Sequence, residues 1–477
     1  MEIVNFGGNV RFTPAQVYIP ESEQDVLDIL NRHRNGHIRV VASLHAWSNA
    51  VVSDDVIIDM RNFDRVEVGK DAGRVWANVG AGCVLKRLLD ELHRRSGSTL
   101  PTLGGIRKQT IAGAISTATH GSGSSSLSHF VEEVRVAAYD PVSRRARVYH
   151  FKNGARLRAA RCALGCMGVI LSVKLRCVPK YWLKERIGRY KSLQEVLALQ
   201  RLFPLQQFTL FPYLWEYFAY QRSVHDKKPS VRARLVAWLV RIVDYVNVEI
   251  LPHATLKFLI YAFGMEKGSS RIIPFFYRRI APLFMHQPEV INDAETGLTL
   301  HTAHHYTFRH LEIEVFIPQS FIHQATEVIT YVTSVFAGAS PHVPGNAASE
   351  LQKIGADREL EGCRGSYMHH YPFFFRYVLP DDTLISATSG REAYYAIGFF
   401  TYLAPEKRQA FYQYAQFMAR ILARLYGARL HWGKYFPLRH SEIARLYPRL
   451  NQFRKVCRRL DPHGTFQNAY TLEVLGF

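Results

Sequence analysis

The segment GGIRKQTIAGAISTATHGSG at 104–123 constrains the fold of this chain more than any other stretch. It is small, polar and rich in Gly, Ser and Thr, so it cannot fill a core, but its backbone can come close to a ligand. Exposed N–H groups in such loops form concave sites for anions. A flexible linker is excluded because apolar side chains punctuate the stretch at Ile106, Ile111, Ile115 and Ala118. The sequence therefore predicts a ligand-binding loop held on a folded domain.

The residues before and after this loop alternate between helix and strand patterns. Ser22 and Asp25 form a capping box for a helix that ends at Gly36. Strands are predicted at IRVVA (38–42), VIIDM (56–60) and VWANV (75–79). Val84, Leu85, Leu88, Leu89 and Leu92 then lie on one helical stripe. This pattern indicates an α+β domain with short helices between its strands.

A change of pattern marks the domain boundaries. The stretch GCMGVILSVKLRCV at 165–178 is a glycine turn into a β-branched strand. After Pro179 aromatic residues become dense and helices mix with strands such as LEIEVFIP at 311–318. We therefore assign residues 1–180 to a first domain, 181–430 to a second, and the polar, helical residues 431–477 to a C-terminal segment.

Charge and cysteine content bound the functional classes. The 477 residues are 48% apolar and 21% charged, as in soluble globular proteins, and their formal net charge is +20. Such a charge attracts nucleic acid, an anionic membrane surface or acidic proteins, or is only a solvated surface. The six cysteines have no paired spacing, which favours free thiols in an intracellular, reducing compartment. The N-terminus does not have the pattern of a signal peptide.

The most apolar region is 231–263, which charged residues interrupt, among them Arg232, Arg234, Arg241 and Asp244. No uncharged run reaches the roughly 18 residues that a membrane-spanning helix needs. The stretch LVAWLVRIV at 235–243 favours a core helix; the alternative is a helix that lies on the surface of an organelle membrane.

Several common chemistries lack their motifs. GSGSSS at 121–126 has neither the third glycine nor the strand–loop–helix context of a dinucleotide fingerprint. Neither a Walker loop nor a nucleophile elbow is present. His301, His304 and His305 crowd together without a cysteine or carboxylate at ligand spacing, so we expect no metal site.

Five ordered motifs resemble the L-gulono-1,4-lactone and D-arabinono-1,4-lactone oxidases of the vanillyl-alcohol-oxidase superfamily. They are RVVASLHAWSNAVVSDDVIIDM (39–60), STLPTLGGIRKQTIAGAISTATHGSG (98–123), LGCMGVILSVKLRCVP (164–179), HWGK (431–434) and LDPHGTFQN (460–468). The resemblance runs from about residue 10 to the C-terminus and is weakest between 180 and 300. It implies an α+β fold with a two-part FAD-binding domain, which the C-terminal segment completes. It also implies an α+β cap domain with an antiparallel sheet that forms the substrate pocket.

The resemblance also implies roles for the residues that hold FAD. His45 matches the histidine that carries the flavin covalently, and a cationic substituent makes the flavin a better oxidant. The flanking backbone amides should face the pyrophosphate, at Ala42, Ser43, Leu44 and Ala46. Relatives usually have glycines at the first three of these positions, where a left-handed backbone is costly without glycine. The second loop should contribute Gly113, Ser116, Thr119, His120 and Gly121, and the following strand the backbone of Val169 and Ile170.

Three further residues match catalytic positions of the family. Lys434 would stabilise the negative charge of the reduced flavin. The cap strand reads YPFFFRYVLPDD at 371–382, in which Arg376 takes the family's arginine position and Phe374 replaces its glutamate. Glu314 matches a second acidic position on the neighbouring strand. The sequence leaves open a bulge that would turn Phe374 away from the substrate.

The resemblance implies an FAD-linked enzyme that oxidises a sugar 1,4-lactone or related polyol, as in ascorbate biosynthesis, by hydride transfer to flavin. Dioxygen or another acceptor then reoxidises the flavin. The alternative is a catalytically impaired flavin-fold protein that serves as a basic structural component, or binds nucleic acid or a membrane. The high charge, the missing loop glycines and Phe374 favour this alternative. So does the basic segment 144–161, with Arg144, Arg145, Arg147, Lys152, Arg156, Arg158 and Arg161.

Overall fold

The computed structural model describes residues 1–262, 271–285, 288–300, 309–340 and 346–477. His301, His304 and His305 lie outside these residues. The chain divides into two compact units: residues 1–180, 379–391 and 431–477 form the first, and 181–378 with 392–430 form the second.

Segment 379–391, which the sequence placed in the second domain, belongs to the first unit. The buried carboxylate of Asp381 accepts hydrogen bonds from Ser126 Oγ at 2.9 Å and Ser386 Oγ at 2.7 Å. Ser125 Oγ donates to Pro380 O at 2.8 Å. These bonds hold the segment on the loop that ends the glycine-rich stretch, because a buried carboxylate is costly without such donors.

The described residues of the first unit form two larger sheets, of three and five strands, and two two-stranded sheets, β1-β2 and β12-β8. Its strands are β1 Ile3–Val4, β2 Arg11–Phe12, β3 Gln16–Tyr18, β4 Ile38–Val41, β5 Val56–Asp59, β6 Val66–Asp71, β7 Arg74–Gly80, β8 Ser98–Thr99, β9 Val131–Tyr139, β10 Ala146–Phe151, β11 Val169–Arg176 and β12 Val178–Pro179. A parallel sheet has the order β3-β5-β4, and an antiparallel sheet the order β10-β9-β11-β7-β6. The predicted strands at 38–42, 56–60 and 75–79 are confirmed.

The first 180 residues contain four α-helices, of which the sequence predicted the first two: α1 Glu23–Arg32, α2 Leu85–Ser96, α3 Ile111–Ser116 and α4 Gly154–Ala160. The predicted capping box forms, since Ser22 Oγ accepts from Asp25 N and the Asp25 side chain accepts from Ser22 N. The predicted apolar stripe of α2 is buried at Leu85, Leu88, Leu89 and Leu92.

The second unit is built on one antiparallel sheet of eight strands among the described residues. They are β13 Trp182–Tyr190, β14 Gln207–Leu210, β15 Tyr217–His225, β16 Val290–Asp293, β17 Leu311–Pro318, β18 Phe373–Val378, β19 Tyr394–Thr401 and β20 Arg429–Leu430. Their order is β16-β13-β15-β14-β18-β19-β17-β20, so strands distant in sequence meet at the centre of the sheet. The α+β fold with an antiparallel cap sheet is confirmed.

The helices of this unit differ in burial. They are α5 Leu193–Ala198, α6 Val231–Asp244, α7 Leu251–Ala262, α8 Ile272–Phe275, α9 Ala281–Phe284, α10 Ala294–Leu298, α11 Ile322–Phe336, α12 Asn346–Lys353, α13 Asp357–Gly362 and α14 Gln409–Tyr426, with a π-helical turn at Tyr245–Ile250. Helix α11 is buried along most of its length, and α14 is buried at half of its residues. Helix α6 is not the core helix that the sequence favoured, because Ala237 is its only buried residue. In the described part of the chain, no helix combines the length and apolarity needed to cross a bilayer.

The C-terminal segment forms α15 His440–Leu446, α16 Leu450–Leu460 and α17 Ala469–Leu475. Ahead of α17, the Asn468 side chain donates to the carbonyls of Asn49 at 2.9 Å and Val52 at 2.8 Å. Ile38 N donates to Thr465 O at 2.8 Å. The segment is therefore fixed to β4 and to the loop that follows it, where His45 lies.

Candidate functional site

The first unit contains an open cleft with about 1080 Å³ of empty space, including its mouth. The loop after β4 forms one wall, the glycine-rich loop a second, and the turn before β11 and the HWGK motif complete it. Of the predicted site residues, nine line this cleft: Ala42, Ser43, Leu44, His45, Ala46, Gly113, Ser116, Ile170 and Lys434. Residues that the sequence analysis missed also line it, among them Arg39, Trp47, Gln109, Thr110, Thr117 and His431.

Four predicted cofactor residues support the cleft without lining it: Thr119, His120, Gly121 and Val169. Thr119 Oγ1 donates to Gln109 Oε1 at 3.4 Å, and Gly121 N donates to Thr102 Oγ1 at 3.0 Å. The ring of His120 lies 5.9 Å from that of His431. These residues hold the glycine-rich loop in shape behind the wall.

Arg39 is the largest omission, and it connects three parts of the cleft. Its guanidinium donates to Ala50 O at 2.7 Å and also to the carbonyls of Phe466 and Leu164. It is buried, which lowers its pKa. The sequence signal for Arg39 was a charged residue inside the apolar run IRVVA. A charge in a buried strand predicts a fully hydrogen-bonded side chain, because burial is otherwise too costly.

His45 lies on the loop after β4, with its ring 5.6 Å from the Phe6 ring. Burial, together with the positive charges of Lys108 and Lys434, lowers the pKa of His45 to about 4. The imidazole is therefore neutral at pH 7 and keeps a lone pair that can attack an electrophile.

The residue before His45 has a strained backbone. Leu44 has φ +52°, in the left-handed region, and its carbonyl accepts from Phe6 N at 2.9 Å. A non-glycine residue costs roughly 1–2 kcal/mol there. The strain expected for the three replaced glycines is therefore confined to one of them, since neither Ala42 nor Ser43 has a positive φ.

The HWGK motif places a cation on the cleft wall. Trp432 is fully buried, donates Nε1–H to Ile385 O at 2.6 Å and stacks on Phe436. Trp47 N donates to Gly433 O at 2.9 Å, and Lys434 Nζ lies 4.4 Å from the centre of the Trp47 ring. This cation–π contact holds the ammonium group beside His45.

The residues of this cleft fit FAD. The aromatic rings of FAD need apolar walls, and the loop after β4 supplies them at Ala42, Leu44 and Trp47. Its diphosphate needs backbone N–H groups, which the same loop offers, and Lys434 adds the positive charge that would stabilise the reduced flavin. Among the described residues that line the cleft, none is acidic.

The predicted catalytic residues of the second unit share one face of its sheet. Phe374 and Glu314 both pair with Gly398, one from each neighbouring strand, and β18 pairs in continuous register with β14 and β19. Phe374 therefore faces the same side as Arg376 and Glu314, and the bulge left open by the sequence is absent from β18. Arg376 Nη1 lies 4.0 Å from Glu314 Oε1, and Arg376 Nε donates to Gln207 Oε1 at 3.3 Å.

Aromatic rings lie on the same face, to one side of this acid–arginine pair. The Phe374 ring lies 5.7 Å from Tyr371 and 5.5 Å from Phe400, and Tyr371 lies 5.1 Å from Tyr402. We call Tyr371, Phe374, Phe400 and Tyr402 the aromatic cluster. Gly398 leaves room for it, because a Cβ there would lie 2.9 Å from the Phe400 ring. The face can hold an apolar group next to the buried carboxylates of Glu312 and Glu314 and one guanidinium.

Comparisons with known proteins identify the family to which this chain belongs. The profile of the D-arabinono-1,4-lactone oxidase family matches residues 173–474, and that of an FAD-binding domain matches residues 14–140. A long-chain alcohol oxidase from an uncultured marine euryarchaeote is 41% identical over 474 residues, 99% of this chain and 96% of that protein. The L-gulonolactone oxidase of Bos taurus is 25% identical, over 97% of this chain and 95% of its own.

A solved structure supports the same fold. Cholesterol oxidase from Brevibacterium sterolicum matches with a TM-score of 0.74 at 15% identity, over 99% of this chain and 96% of that chain. The FAD-binding and lactone-oxidase matches together span most of the sequence, and the cleft has the residues that FAD requires. The chain thus belongs to the D-arabinono-1,4-lactone oxidase family of FAD-linked oxidoreductases.

Proposed function

We propose that this protein oxidises the hydroxyl-bearing carbon of an apolar, long-chain primary alcohol to the aldehyde. The observation that carries the proposal is the aromatic cluster beside Glu314 and Arg376. Phe374 can neither accept a proton nor bond a sugar hydroxyl, and a buried hydroxyl without a partner costs roughly 1–3 kcal/mol. An alkyl chain gains free energy on the same surface. The relative at 41% identity is a long-chain alcohol oxidase.

The residues of the chain divide the reaction between them. When bound, FAD supplies the hydride acceptor and passes the electrons to dioxygen or another acceptor. We assign Glu314 as the base that accepts the hydroxyl proton, because it lies buried on the face next to Phe374. Arg376, whose Nη1 lies 4.0 Å from Glu314 Oε1, positions that carboxylate. Lys434 supplies a fixed positive charge in the cleft of the first unit.

A second candidate substrate is a sugar 1,4-lactone, as the sequence resemblance implied. It is favoured by the lactone-oxidase profile over 173–474 and by the retained Arg376–Glu314 pair. Steady-state turnover of primary alcohols from C4 to C16 and of gulono-, galactono- and arabinono-lactones separates the two. We expect kcat/KM to rise with alkyl length and to exceed that of each lactone. Rapid lactone turnover without alcohol turnover would reject the apolar substrate, and FAD-loaded protein without any turnover would favour a binding role.

We also propose that His45 holds FAD covalently, because its imidazole is neutral and lines the cleft. Protein expressed with ample riboflavin should carry the mass of FAD on the peptide that contains residues 39–60. His45→Ala should remove the adduct and keep non-covalent FAD in the cleft. A yellow wild-type protein whose 39–60 peptide has its unmodified mass would reject the attachment.

A further inference from the structure

Helix α6 turns its apolar side chains outward. Trp238 is 59% exposed, and Leu235, Leu239, Ile242 and, in the following turn, Val246 are exposed with it. Their spacing of three and four residues places them on one stripe of the helix. The buried side of α6 is at Ala237, and the helix packs near β16. Arg241 also donates to Thr299 O, directly after α10, at 3.3 Å. The usual arrangement of a surface helix, apolar inside and polar outside, is therefore reversed.

Helix α7 continues the same surface. Leu256 and Ile260 are buried on its inner side, whereas Leu251, Tyr261 and Phe258, which is 64% exposed, are turned outward. We call these eight side chains of the two helices the exposed apolar face: Leu235, Trp238, Leu239, Ile242, Val246, Leu251, Phe258 and Tyr261. Single exposed apolar residues are ordinary, but a continuous patch of this kind marks an interaction surface.

The charges near this face are mostly positive. Lys227 and Lys228 precede α6, and Arg232 and Arg234 lie in its first turns, all of them exposed. Exposed Asp226 and half-buried Asp244 are the nearby described carboxylates on this stretch. A basic margin around an apolar stripe with tryptophan is the composition of helices that lie in the interface of an anionic bilayer. An acidic lipid surface complements both properties at once.

The inner side of α7 contacts the aromatic cluster. His253 Nε2 and Tyr371 Oη are 2.6 Å apart, and the His253 ring lies 5.6 Å from that of Tyr402. Tyr261, on the exposed apolar face, donates its hydroxyl to Tyr402 O at 3.3 Å. One helix therefore separates the exposed apolar face from the rings beside Phe374.

We propose that the exposed apolar face docks on the surface of an anionic lipid bilayer. In that position α7 lies between the lipid and the aromatic cluster, and the bilayer concentrates an apolar alcohol next to the helix that covers the cluster. This last step rests on the proposed substrate class, whereas the docking itself does not.

Co-sedimentation with vesicles tests the docking without any turnover. Wild-type protein should bind vesicles of phosphatidylcholine with one-quarter phosphatidylserine, more weakly at high salt because exposed charges are screened. The triple variant L235S/W238S/I242S should bind at least about tenfold more weakly, since it removes three side chains that would enter the lipid. The matched control V142S/L202S/L472S removes three exposed apolar side chains elsewhere and should bind like wild type.

Two double variants distinguish an effect of the basic margin on lipid binding from an effect of the total charge. R232Q/R234Q should weaken binding several-fold more than R144Q/R145Q, which removes the same charge from an exposed turn of the first unit. Thermal melting and FAD content show that each variant folds. Wild type that ignores anionic vesicles at low salt, or L235S/W238S/I242S that binds as wild type does, would overturn the proposal. A dimer in solution that only L235S/W238S/I242S dissociates, without lipid binding, would assign the face to a second copy instead.

Discussion

Glu314 Oε1 and Arg376 Nη1 lie 4.0 Å apart on adjacent parts of one sheet face, diagonal across the glycine of β19. Glu314 is buried and Arg376 is half-buried. Phe374 lies opposite Gly398 and cannot accept a proton. We therefore assign the roles on the substrate side of the reaction to this pair, with Glu314 as the base and Arg376 as the group that orients it.

Substitution of Glu314 should therefore stop catalysis without removing the cofactor. Glu314→Gln keeps the size of the side chain but cannot accept the hydroxyl proton, so kcat should fall by about 10²–10⁴. FAD content should stay at the wild-type level. The control is Glu312→Gln, on the same strand and face, which should retain most of its activity. A larger loss from Glu312→Gln than from Glu314→Gln would assign the base to Glu312.

The strained backbone at Leu44 predicts an unusual order of stabilities. Leu44→Gly and Leu44→Ala both remove the side chain, but only glycine relieves φ +52°. The glycine variant should be more stable than the alanine variant by about 1 kcal/mol. Chemical denaturation of the two apoproteins measures this difference directly. The opposite order, which is normal for helical or extended backbone, would show that position 44 is not left-handed.

Neutral buried histidines predict a loss of stability in mild acid. Burial lowers the pKa of His369 well below 6.5 and that of His370 to about 4. Between about pH 4 and pH 6.5, these histidines bind protons in the unfolded chain and stay neutral in the folded chain. The free energy of unfolding therefore falls as the pH falls from about 6.5 toward 4. Each unit of pKa difference corresponds to about 1.4 kcal/mol.

Melting temperatures at pH 7.5 and pH 5.0 measure this loss. His369 stacks on Phe373 at 4.5 Å, so His369→Phe keeps the stacking and removes the titration. This variant should lose less stability between the two pH values than wild type. The control His323→Phe, on an exposed position of α11, should lose as much as wild type. Equal losses in all three proteins would contradict the prediction.

The sequence was sufficient for the fold class and for nine residues of the cleft because these depend on local pattern. The capping box of α1, the apolar stripe of α2 and the glycine-rich loop each depend on residues that lie close together in the sequence. The motifs located nine residues of the cleft wall. They did not locate Arg39, because its three acceptors come from distant parts of the chain.

The orientation of α6 could not be predicted for a different reason. Its stripe of Leu235, Trp238, Leu239 and Ile242 is equally compatible with a core or with an external partner, and periodicity alone does not say which side faces water. The sequence assigned segment 379–391 to the wrong domain because the bond that attaches it to the first unit, from Ser126 to Asp381, joins residues far apart in the chain. The bond from Ser386 to Asp381 lies within the segment itself and gives no sign of this attachment.

Position 374 tests the central claim, an apolar substrate beside Glu314, most directly. The measurement is the ratio of kcat/KM for a C12 primary alcohol to that for gulono-1,4-lactone, in wild type, Phe374→Glu and Phe374→Leu. The wild-type ratio should favour the alcohol. Phe374→Glu should lower it by about 100-fold, because a carboxylate bonds lactone hydroxyls and repels an alkyl chain. Phe374→Leu should keep the alcohol preference. A wild-type preference for the lactone that Phe374→Glu leaves unchanged would contradict the account.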